Sequence, residues 1–122
     1  IPGSSAYYKG SIIAYDNNVK TDLLNVKKST IEKFGAVSRE TAEEMAQRTL
    51  ELFRCNYALA TTGIAGPEGG TPQKPVGIVW ITVATSDKIT SEKFQFTNDR
   101  VTNITRFTLS ALNLLRLRII HG

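Results

Sequence analysis

Cysteine and histidine are almost missing from these 122 residues: Cys55 and His121 are the only ones. One thiol rules out an intrachain disulfide and leaves a thiolate metal site without ligands. One imidazole, placed in the tail, leaves no histidine pair for catalysis and no zinc set. No metal is therefore expected, and any enzymatic base here is something other than histidine. No apolar run approaches the ~20 residues that span a bilayer, so no membrane segment is expected, and no secretory pattern is visible. A lone reduced thiol fits an expected cytoplasmic setting. The chain opens at Ile1-Pro2 without a methionine, which carries the expectation of residues upstream.

Clustered charge is missing too. Fifteen Lys and Arg against eleven Asp and Glu give a net charge of +4 and a pI near 9.4. The cations are interleaved with acids and are not gathered with aromatics, so a nucleic-acid surface is disfavoured. An anionic small ligand or a merely solvated surface explains the balance equally well. Repeats, linkers and low-complexity stretches are absent, and the length suits one packed core, so a single domain over residues 1–122 is expected.

What is present is concentrated in Thr62-Gly63-Ile64-Ala65-Gly66-Pro67-Glu68-Gly69-Gly70-Thr71-Pro72-Gln73-Lys74-Pro75-Val76-Gly77. Five of the nine glycines and three of the four prolines fall in this run, between two apolar segments. Glycine lets backbone amides approach a ligand without a Cβ in the way, and proline stiffens the loop. Such a loop can hold phosphate, carboxylate or a reacting carbonyl. On composition alone, an ordinary long connection accounts for it just as well.

Around the loop the pattern reads as alternating elements. Ser11–Tyr15 is short, apolar and bounded by Gly10 and Asp16-Asn17-Asn18, which predicts a strand. Asn18 can cap a short helix to about Asn25. Ser29-Thr30-Ile31-Glu32 has capping-box spacing for a brief helix stopped by Gly35. Ser38 caps a helix over about Arg39 to Arg54, with Ala42, Met45, Ala46, Thr49, Leu50 and Phe53 forming its core stripe. Tyr57–Thr61 is a strand that delivers the glycine loop. Gly77–Thr85 predicts a central strand buried on both faces, and Ser86-Asp87-Lys88 turns it into an antiparallel Thr90–Phe96. A last helix, about Arg100 to Ile119, directs Ile104, Phe107, Ala111, Leu114 and Leu115 inward. The expected architecture is α/β, a mixed sheet between helical layers.

Three polar features join the loop as candidates. Pro2-Gly3-Ser4-Ser5 presents two hydroxyls before Tyr7 and Tyr8. Tyr15 and Lys20 flank the Asp-Asn-Asn turn, where strand end and helix start meet. Arg100 opens the last helix, where backbone amides favour anions. Each has an ordinary reading as a turn serine, a half-buried tyrosine, a solvated lysine or a surface arginine.

Pro2-Gly3-Ser4-Ser5, Tyr15-Asp16-Asn17 with Lys20, Gly35-Ala36-Val37-Ser38, Thr62-Gly63-Ile64-Ala65-Gly66-Pro67 with Gly69-Gly70, Lys74-Pro75-Val76-Gly77 and Asp99-Arg100 follow one another in this order. The set resembles the C-terminal domain of the competence/damage-inducible CinA family, also found alone as nicotinamide-nucleotide amidase, over practically the whole chain. The resemblance implies a three-layer α/β/α sandwich and hydrolysis of nicotinamide mononucleotide to nicotinate mononucleotide and ammonia, without a cofactor. It implies Ser5 as nucleophile, Tyr15 and Lys20 as its partners, and Ser4, Thr62, Gly63, Ile64, Ala65, Gly66 and Arg100 as substrate-binding residues. It implies a small-molecule nucleotide as partner, with no nucleic acid and no membrane, and leaves a homo-oligomer open. Relatives of this kind carry an upstream helix, a strand and a Glu-Ser-Cys-Thr-Gly-Gly segment. That segment is expected to wall the pocket, and Lys20 to be better hydrated without it.

An amide is a poor electrophile and a neutral hydroxyl a poor nucleophile, so the serine proton needs an acceptor and the oxyanion a donor. Lysine serves as the acceptor only if its pKa of about 10.4 falls, through burial or a nearby cation such as Arg100. Two other readings stay open: Lys20 and Tyr15 activating water without a covalent step, and a non-catalytic nucleotide-binding or regulatory module.

Overall fold

The computed structural model describes residues 1–122. Its elements are a short 3-10 turn at Ser4–Ala6, then α1 (Asn17–Asp22), α2 (Lys28–Phe34), α3 (Arg39–Phe53), β1 (Ala58–Gly63), β2 (Ile78–Ala84), β3 (Ile89–Gln95) and α4 (Arg100–His121). The strands form one sheet in the order β1-β2-β3, and both pairs are antiparallel.

The sheet separates two cores because strand side chains alternate between its faces. Val79, Ile81 and Val83 of β2 point to one face, where they meet Ala111 and Leu114 of α4 together with Phe94, Phe107 and Leu115. On the opposite face Ala60 and Ala84 pack with Met45 and Ala46 of α3 and with Leu24 and Val26. β2 is therefore apolar in both directions, which is why its sequence reads as a continuous β-forming run. Helix, sheet and helix make the expected three layers. Ile81 is fully buried at the centre of β2. Ile81→Ala is expected to cost about 2–5 kcal/mol, from lost transfer energy plus the cavity left behind, read as a lower midpoint in urea unfolding.

Three local expectations change. The sheet is antiparallel, not mixed, because residues 11–15 join no ladder; Ile12 and Ala14 pack on the α3-side core while Ile13 stays 90% exposed. Helix α1 is capped by Asp16, whose carboxylate accepts from the Asn18 N–H at 2.7 Å, and not by Asn18 itself. Helix α2 starts at Lys28, with no side-chain cap of its own. Glu44 of α3 takes that place: one carboxylate oxygen accepts the Lys27 N–H at 2.9 Å and the other the Thr30 hydroxyl. Gly35 does end α2, at a φ of 85° that side-chain-bearing residues rarely adopt. Ser38 caps α3 as its sequence indicates, accepting from the Thr41 N–H at 3.1 Å.

Candidate functional site

Three chain segments meet at the end of β1: the 34–38 connection, the glycine loop and the start of α4. The Thr62 hydroxyl donates to the Ala36 carbonyl at 2.7 Å, and the Lys74 ammonium donates to the Phe34 carbonyl at 2.5 Å. On the other side, Arg100 donates to the Gly66 carbonyl at 2.8 Å and the Asn103 amide to the Ala65 carbonyl at 2.9 Å. Within the loop, the Ile64 N–H donates to the Ile78 carbonyl and the Gly77 N–H to the Ile64 carbonyl, closing its neck. Glycine is required at 66, where φ is 95° and an added Cβ would lie 2.5 Å from the Val76 side chain.

These contacts engage several of the residues singled out from the sequence. Thr62 is buried, and its hydroxyl proton is committed to Ala36. Arg100 spends one N–H on the loop, while its residue stays exposed, with further guanidinium donors in hand. Asp99 caps α4 by accepting the Thr102 hydroxyl and N–H, and these bonds hold its carboxyl below the usual range. Asn103 is absent from the sequence-based set, yet it is fully buried and ties the loop to α4.

Lys20 is the one charged side chain buried in the molecule, at 5% exposure. Its Nζ donates to the Ala14 carbonyl at 2.6 Å and reaches the Tyr15 carbonyl at 3.5 Å. Burial lowers its pKa below the ordinary lysine value, opposed by the nearby Asp16 carboxylate. The direction matches what a base requires. The cause is desolvation by the residues of this chain. Arg100 is not among the causes.

Ser5 lies in the 3-10 turn, exposed, and its hydroxyl makes no hydrogen bond. Ser4 closes that turn with its carbonyl, which accepts from the Tyr7 and Tyr8 N–H groups, and not with its hydroxyl. Tyr15 is 89% exposed; its carbonyl lies 3.5 Å from the Lys20 Nζ, and its phenol makes no hydrogen bond to Lys20 or Ser5. No hydrogen bond joins Ser5 to Lys20. The lysine and the glycine loop are thus built, whereas the serine and tyrosine stand open. Two surface clefts, about 210 Å³ beside Leu23 and Leu52 and about 540 Å³ beside the Ser86-Asp87-Lys88 turn, include none of these residues.

A three-layer α/β domain with a stiff glycine loop clipped to a helix start and a buried lysine defines the class. The chain belongs to the CinA C-terminal domain family, whose profile matches residues 1–119. It is 46% identical over 119 residues to a CinA-like protein of Amoebophilus asiaticus, covering 98% of this chain and 29% of the relative. It is 44% identical over 116 residues to a putative competence-damage inducible protein of Thermoanaerobacter pseudethanolicus, covering 95% of this chain and 28% of the relative. The chain therefore spans under a third of these curated relatives. Among solved structures, the competence/damage inducible protein CihA of Agrobacterium tumefaciens superposes with a TM-score of 0.91 at 38% identity, over 94% of this chain and 71% of that one. A CinA superfamily protein of Klebsiella pneumoniae does so with a TM-score of 0.94 at 27% identity, over 100% and 76%. No helix is long and apolar enough to cross a membrane.

Proposed function

We propose that this domain hydrolyses the carboxamide of nicotinamide mononucleotide, giving nicotinate mononucleotide and ammonia. The observation that carries the reading is Lys20: a buried lysine with a lowered pKa is a strong candidate base in a chain without a usable histidine. A neutral amine keeps its N–H bond to the Ala14 carbonyl while its lone pair stays free. That lone pair takes the Ser5 proton as Oγ bonds to the carboxamide carbon. The C–N bond then breaks, the proton goes to the departing ammonia, and water hydrolyses the nicotinoyl ester, returning Ser5. Substrate binding draws the exposed Ser5 turn to Lys20, since catalytic contacts often tighten only in the complex. The same closure would bring the Tyr15 phenol, which faces solvent in the free chain, against the pair to orient it. Arg100 and the loop amides receive the anionic nucleotide. The test is ammonia release from nicotinamide mononucleotide; no release above background would overturn this reading.

The lack of a hydrogen bond between Ser5 and Lys20, whose Nζ is engaged by the Ala14 carbonyl, favours a second reading, a nucleotide-binding module within a longer protein. It predicts binding of nicotinamide mononucleotide without ammonia. Under the amidase reading, Arg100→Ala should raise KM about tenfold or more with kcat little changed, the loss of a charge-assisted contact to phosphate. The KM of the variant should also depend less on salt. A loss confined to kcat would place Arg100 at the transition state instead.

A further inference from the structure

Asn103 spends all of its hydrogen-bonding capacity around one loop. Its Oδ1 accepts the Thr97 N–H at 3.0 Å and the Thr97 hydroxyl at 3.1 Å, and its Nδ2 donates to the Ala65 and Thr97 carbonyls, both at 2.9 Å. Its side chain is fully buried. One turn earlier, Arg100 holds the next carbonyl, that of Gly66. Two consecutive carbonyls are thus drawn toward α4. The Ala65 carbonyl and the Gly66 N–H belong to one trans peptide and point in opposite directions. Gly66 is buried, yet its N–H has no hydrogen-bond partner, and neither has the adjacent Ala65 N–H. An unpaired donor on a buried residue calls for an acceptor, from water or from a ligand. Successive free amides of this kind form concavities for anions.

We infer that Asn103 is a positioning residue: by holding the Ala65 carbonyl against α4, it turns the Gly66 N–H away from the helix as a donor to an anionic oxygen of the ligand. The inference rests on the amidase reading only for the identity of that oxygen, either the nucleotide phosphate or the oxyanion that develops on the carboxamide. Asn103 itself touches no substrate.

The experiment is amide NMR of the full chain titrated with inorganic phosphate, for wild type, N103D and T97V. The wild-type Gly66 resonance should shift saturably, with Ala65 following. N103D keeps the shape and the acceptor oxygen but cannot donate to Ala65, so phosphate affinity at Gly66 should fall about tenfold or more. T97V loosens the same turn and leaves the Asn103–Ala65 bond in place, so its Gly66 response should persist. An unmoved Gly66 resonance in wild type overturns the inference, and this arm stands even if N103D does not fold. An unchanged response in folded N103D overturns it as well. With nicotinamide mononucleotide, a raised KM in N103D identifies the phosphate and a lowered kcat the developing oxyanion; neither change overturns the positioning role. A wild-type protein that answers phosphate at Gly66 but releases no ammonia removes the amidase reading alone. Turnover without a Gly66 response removes the inference alone.

Discussion

Ser5→Ala is expected to abolish ammonia release from nicotinamide mononucleotide, by about a thousandfold or more, while nucleotide binding stays within about twofold of wild type. The hydroxyl is exposed and makes no hydrogen bond, so its removal leaves no buried group unsatisfied and should not change the melting temperature. Ser4 supplies the comparison. Its hydroxyl is also unbonded, but its carbonyl closes the turn, and Ser4→Ala preserves that carbonyl. Ser4→Ala should therefore cost far less activity. Mass spectrometry of a rapidly quenched reaction should find a nicotinoyl-nucleotide ester on Ser5 alone. Full activity of Ser5→Ala would remove the covalent step and leave Lys20 activating water.

Elements whose burial depends on their own periodicity were legible in the sequence. β2 announced itself through its run of β-formers, and α3 through Ser38 and its apolar stripe; both lie where expected. The glycine loop and the arginine that opens α4 were legible too, because turn chemistry and helix starts are local. What escaped was long-range. Ile104 was expected to face inward, yet it is 46% exposed, and the buried position is Asn103, one residue or about 100° away. The inward stripe runs 103, 107, 111, 114, and its first member is polar, so an apolar pattern alone picks the wrong neighbour. Asn103 becomes legible only once Ala65 and Thr97 are known to lie beside it. The α2 start escaped for the same reason, since its carboxylate cap comes from Glu44 on another helix. Residues 11–15 have the composition of a strand, but a ladder also needs a partner edge. Tyr15 shows the limit of motif reading, since order along the chain did not foretell a side chain turned to solvent.

Lys20 sets the largest expected pH effect. Its folded pKa lies below its unfolded value because burial disfavours the charged form, with Asp16 pulling the other way. Under the amidase reading only neutral Lys20 accepts the Ser5 proton, so kcat/KM should rise with pH and level off once the folded lysine has lost its proton. Asp16→Asn removes the one charge that favours the protonated form and should move that rise to lower pH. Lys20→Met should lower kcat/KM about a thousandfold and erase the rise. Stability gives a readout that does not require turnover. Below the folded pKa both states carry the proton, and the folded state bears the full cost of a buried charge. Between the folded pKa and about 10.4 the unfolded chain binds more protons, so stability rises with pH across that window and flattens above it. Urea unfolding from neutral to alkaline pH should show this gain in wild type and not in Lys20→Met. A wild-type slope identical to that of Lys20→Met would mean that Lys20 titrates as in the unfolded chain, and the proposed base would be lost with it.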